Sequence, residues 1–121
     1  MGKQECQTSE QTESLSDLAK LYQAVLQKMG GQEKVSKDKG LPKTIKRVSV
    51  LKKVIDEKNL LGLSLITQKE NGDYVGSYEI NLTETGEIWS AIFKPHQGLN
   101  DWLEENPKEV ASIVRQVIEL I

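Results

Sequence analysis

The side chains best suited to chemistry are scarce in this 121-residue chain, which holds one thiol, Cys6, and one imidazole, His96. A single copy of each excludes Cys/His zinc sites, histidine triads and thiol catalysis within one chain. Cys6 stands among Gln, Glu, Thr and Ser with only Lys3 as a basic neighbour, so nothing nearby would stabilise a thiolate. His96 follows Lys94-Pro95 in what reads as a strand-to-helix loop, where an imidazole is most often a solvated bystander. Carboxylates are plentiful, and Glu79, Glu84, Glu87, Glu104 and Glu105 are the candidates for acid–base work. They fall on strand exteriors, turns or a helix start, without the desolvation a catalytic pair needs. Gly30-Gly31 lacks the spacing and strand context of a phosphate-binding loop. The expectation is a non-enzyme with no catalytic residue, no cofactor and no bound metal.

Two features point instead to binding. Net charge is only −2, yet residues 34–58 carry nine basic residues against three acidic ones, while residues 59–121 carry four against ten. Such segregation creates a patch for an anionic partner that the overall acidity conceals. The second feature is aromatic. Trp89 and Phe93 flank Ala91 at even spacing, so on one regular strand they would share a face, with Ile66 beside them. Rings beside a Lys/Arg-rich segment are how sequence-tolerant single-strand binders work, with bases stacking on the rings and cations meeting phosphates. The nucleic-acid candidates are Lys43, Lys46, Arg47, Lys52, Lys53, Trp89 and Phe93. For a protein partner or homodimer, the interface candidates are Ile66, Trp89 and Phe93.

Positioning these residues falls to the stretch from Leu60 to Phe93. Asn71-Gly72 lies between two β-rich runs and suits a two-residue hairpin turn, in which both central residues need positive φ. Pairing Glu70 with Asp73 then sets Leu65 opposite Tyr78, Leu63 opposite Ile80 and Leu61 opposite Leu82, so two independent apolar faces coincide. A three-residue loop at Glu84-Thr85-Gly86, with Gly86 left-handed, would pair Leu82 with Ile88, Ile80 with Ser90 and Tyr78 with Ile92. The expected product is an antiparallel meander over about 60–94, with one apolar face that something must cover.

Helices supply the cover. Leu15, Leu18, Leu21, Tyr22, Val25, Leu26 and Met29 recur at helical spacing after Ser14 and stop at Gly30-Gly31. Near the C-terminus Asn100 caps a short predicted helix carrying Trp102 and Leu103. Asn106-Pro107 then opens a longer one with a stripe of Val110, Ile113, Val114, Val117 and Ile118. Residues 32–43 read as a Lys-rich surface loop. Residues 44–57 are ambiguous: their apolar positions gather on one side of a helix, whereas their β-branched content suits a fourth strand turning at Glu57-Lys58-Asn59. Periodicity makes helix the expectation. Residues 1–13 are too polar to offset the entropy of ordering and read as a disordered tail, leaving 14–121 as a single α+β domain.

The longest apolar runs fall well short of the roughly 18 residues of a membrane span, and the polar N-terminus lacks a signal-peptide pattern. A soluble, cytoplasmic chain without a membrane partner is expected. As function, the apolar side chains on two sides of the sheet imply a non-catalytic interaction or regulatory domain that self-associates, the alternative being a single-stranded nucleic-acid binder built on segment 34–58 and the sheet aromatics.

Overall fold

The computed structural model describes residues 15–94 and 105–121. Among them run helix α1 (Leu15–Met29), strands β1 (Lys34–Lys37), β2 (Ile45–Ile55), β3 (Lys58–Gln68), β4 (Tyr74–Thr83) and β5 (Ile88–Lys94), and helix α2 (Pro107–Leu120). The strands form one sheet in sequence order, each antiparallel to the next. The class is α+β, with five strands where three or four were expected. The proposed tail, the Ser14 cap and the short helix carrying Trp102 and Leu103 lie outside the described residues.

Both helices pack against the same side of the sheet and against each other. Leu18, Tyr22, Val25 and Met29 of α1, with Val110, Ala111, Ile113, Val114 and Val117 of α2, are buried over Val48, Val50, Leu61, Leu63, Leu65, Ile80, Leu82, Ala91 and Phe93. Each large aliphatic removed from water here contributes about 1.5–3 kcal/mol. At the start of α2, the Asn106 side chain accepts from the Glu109 amide at 3.3 Å and Pro107 occupies the first turn, as the sequence implies. No helix among the described residues is long and apolar enough to cross a membrane.

Segment 44–57 is a strand, not a helix. Its apolar residues straddle both parities for two reasons. A bulge at Lys46 restores Ile45 to the side of Val48 and Val50, while Leu51 and Ile55 face away from the helices. The turn after it is also tighter than expected. Ile55 pairs with Lys58 across Asp56 and Glu57 alone, at φ 51° and 64°, so the two-residue left-handed turn occurs where there is no glycine.

At Asn71-Gly72 the reverse holds. The Gly72 amide donates to the Lys69 carbonyl at 2.8 Å and the Lys69 amide to the Asp73 carbonyl at 2.8 Å, enclosing a three-residue loop with Gly72 at φ 97°. A further irregularity between Thr67 and Gln68 offsets the extra loop residue. Leu65 therefore still meets Tyr78, Leu63 meets Ile80 and Leu61 meets Leu82. The anticipated register is present, reached through a different turn.

The last hairpin keeps its anticipated loop. The Thr83 amide donates to the Glu87 carbonyl at 2.9 Å, the Gly86 amide donates to Thr83 at 2.9 Å, and Leu82 pairs with Ile88. Beyond that pair a bulge at Trp89 shifts the ladder, setting Asn81 opposite Ser90, Ile80 opposite Ala91 and Tyr78 opposite Phe93. The expected partners Ser90 and Ile92 are thereby turned to the opposite side. Segment 32–43 is likewise not all loop, since Lys34–Lys37 adds a short edge strand against Val48–Leu51.

Candidate functional site

Helices cover one side of the sheet, and no described helix lies on the other. Side chains alternate along each strand, so the register defines the uncovered face. It consists of Lys34 and Ser36 on β1; Arg47, Ser49, Leu51, Lys53 and Ile55 on β2; and Lys58, Leu60, Gly62, Ser64 and Ile66 on β3. To these the Gln68–Tyr74 pair adds both its side chains, β4 adds Ser77, Glu79, Asn81 and Thr83, and β5 adds Ser90, Ile92 and Lys94. Leu60, Ser77 and Thr83 are buried, but most of the face is in contact with water. Leu51 is 40% exposed and Trp89 38%.

A shallow trough of about 250 Å³ crosses the centre of this face, lined by Lys34, Leu51, Lys53, Ser64, Glu79 and Asn81. Its floor is Gly62. A β-carbon there would fall 2.8 Å from Lys53 Cε and 3.2 Å from Asn81 Oδ1, so the missing side chain is what lets the lysine lie flat across β3. Lys53 Nζ donates to Asn81 Oδ1 at 3.0 Å, and Asn81 Nδ2 donates to Ser90 Oγ at 2.8 Å. One polar chain thus links β2, β4 and β5. Elsewhere on the face Lys94 Nζ lies 3.3 Å from Glu79 Oε2, and the Lys58 ammonium stands 5.5 Å from the centre of the Trp89 ring.

The residues singled out from the sequence do not stay together. Arg47 and Lys53 reach the uncovered face, whereas Lys52 faces the helix side beside Tyr22, Leu26 and Glu33. Lys46 sits in the bulge and Lys43 in the preceding loop, where its carbonyl accepts from Gln68 Nε2 at 2.7 Å. Ile66 is half-buried on the uncovered face. Trp89 is exposed, but Phe93 is not beside it. The bulge turns Phe93 into the core, 9% exposed, with its ring centroid 4.5 Å from that of Tyr78.

Gly76 makes that placement feasible, because a β-carbon there would fall 2.6 Å from Phe93 Cζ and 2.5 Å from the Lys94 carbonyl oxygen. Leu51, Gly62, Asn81 and Ser90 were not among the site candidates drawn from the sequence. A glycine inside a strand, as at Gly62 and Gly76, was the available signal of close approach.

The helix side has its own electrostatics. Burial pushes the Tyr22 hydroxyl above its ordinary 10.0, and the charge of Glu84 adds to the effect. Tyr78 is raised in the same way, first by burial and then by Glu109. Among the described residues, no three His, Cys, Asp or Glu side chains are grouped to hold a metal ion. Cys6, His96 and Glu104 lie outside them. Set against protein families, curated proteins and solved structures, the chain matches none.

Proposed function

We propose that this chain is a non-catalytic protein-interaction domain and that the uncovered face of its sheet is the working surface. The observation that carries the reading is one-sidedness: both described helices crowd one face, leaving the other with Leu51, Ile66, Trp89 and Ile92 among polar groups. Half-exposed aliphatic and indole groups interspersed with hydrogen-bonding side chains are the composition of a protein interface. A single-strand binder fits less well. Phe93 is withdrawn into the core, and the Trp89 ring carries the Lys58 ammonium. Among the described residues a stacking platform would be left with Trp89, already under an ammonium, and Tyr74 at the other end of β4.

The face also argues against a second copy as its partner. A two-fold contact sets a surface against itself, and the charged residues among the described strand residues of this one are Lys34, Arg47, Lys53, Lys58 and Lys94 against Glu79. Like charges brought together in this way repel, so the self-association expected from the sequence gives way to a different protein as partner.

The test is affinity capture from an extract of the source cells, comparing the wild-type chain with Leu51→Glu and Trp89→Ala. A protein retained by the wild type and lost to both variants, with melting temperatures unchanged, is the expected result. Capture indifferent to both substitutions would overturn the assignment of the face.

A further inference from the structure

The uncovered face has a charge imbalance that its own residues do not neutralise. Lys94 and Glu79 satisfy each other at 3.3 Å. Among the described residues the strands place no second carboxylate on the face beside Lys34, Arg47, Lys53 and Lys58, although Glu57, Glu84 and Glu87 border Lys58 and Glu33 and Glu84 border Lys53 at its edge. Lys53 differs from the other three. Its stem lies over Gly62 and its ammonium is held by Asn81 at 3.0 Å, so one of three donors is used and the other two remain available at the trough. A lysine ordinarily surrenders much rotamer freedom when it grips an anion. One already laid down on the sheet has less to lose.

The apolar groups around it are aliphatic: Leu51 on one side of the trough, with Ile66 and Ile92 further out. Anionic groups interspersed with aliphatic side chains are a property of polypeptide, not of a phosphodiester chain, whose bases would seek rings.

From this charge complementarity, and resting on the interaction reading above, we infer that the occupant of the face is an extended acidic segment of another protein. One of its carboxylates is received by Lys53 over Gly62, and alternate aliphatic side chains lie on Leu51, Ile66 and Ile92.

Fluorescence anisotropy with a labelled peptide of about ten residues, alternating Glu and Val, tests the inference directly. Comparison probes are a Lys/Val peptide of equal length and a single-stranded oligo-dT of about twenty nucleotides. The acidic peptide alone should bind, weakening as salt is raised. Lys53→Gln should reduce its affinity about tenfold, whereas Lys52→Gln, the same charge change one residue away on the helix side, should leave it unaltered. Gly62→Ala supplies a second variant. It retains every charge but displaces Lys53, and should weaken binding severalfold with the melting temperature recorded alongside.

Three results would overturn the inference: equal effects of Lys52→Gln and Lys53→Gln, no binding of the acidic peptide, or tighter binding of oligo-dT. The broader interaction reading fails separately. A captured protein that depends on Leu51 and Trp89 but not on Lys53 or salt would retain the face as an interface while removing the acidic segment from it.

Discussion

The two sides of the sheet are built from the same strands and differ in what glycine and lysine do there. On the helix side Gly76 lies against a large ring, and the space of its missing side chain is filled by Phe93, tilted against Tyr78. On the uncovered side Gly62 opposes a lysine, and its missing side chain leaves a trough spanned by one extended amine. The same residue type in neighbouring strands thus seals one face and opens the other. A glycine inside a strand identifies a close approach but not its kind; the side chain that reaches it from a diagonal position on the neighbouring strand decides that.

The contrast can be broken most forcefully in the core. Leu63→Ala, at a side chain 3% exposed beneath the helices, should cost about 2–5 kcal/mol in urea unfolding. Leu51→Ala on the uncovered face should cost under about 1 kcal/mol, being 40% exposed. Comparable losses from the two would mean that the second face is covered in solution.

Next in size is Gly76→Ala. The added methyl would meet both the Phe93 ring and the Lys94 carbonyl, and such overpacking typically costs about 1–3 kcal/mol. A thermal melt unchanged from the wild type would show that Phe93 does not occupy the pocket.

The smallest expected effect is alkaline. Tyr22 and Tyr78 have phenols raised above 10.0 in the folded state, so the unfolded chain releases these protons first. Their contribution to stability is complete below pH 10 and declines as pH rises through the folded values. Tyr22→Phe should flatten that decline in denaturation curves measured between neutral and alkaline pH. An unchanged pH profile would count against the burial of the hydroxyl.

How much of this was legible in the sequence varied with the element. The central hairpin could be read because two alternating apolar runs agree on only one register, and that constraint survived a turn of different length. Segment 44–57 misled because its bulge at Lys46 and its apolar residues on both faces imitate a helical stripe. β1 is too short and polar to announce itself, and it exists because β2 offers it a ladder.

The candidate site was half visible. Arg47, Lys53, Ile66 and Trp89 were identified and belong on or beside the uncovered face, but Phe93 was assigned to the wrong side. The reason is one extra residue: alternation across Trp89 is broken by a bulge, and every side chain beyond it reverses. The counterpart at Gly76 is ten or more positions away, where local periodicity has no view of it.

The ends of the meander also govern how it meets other sheets in a crowded solution. A foreign strand adding to the first edge would find only Lys34–Lys37 in strand form, and joining it would mean desolvating ammonium groups. At the far edge the kink at Trp89 interrupts the flat ladder that such an addition would need. Both margins are therefore poor templates for stacking into a continuous fibre, even though the strands between them are long and rich in aliphatic side chains.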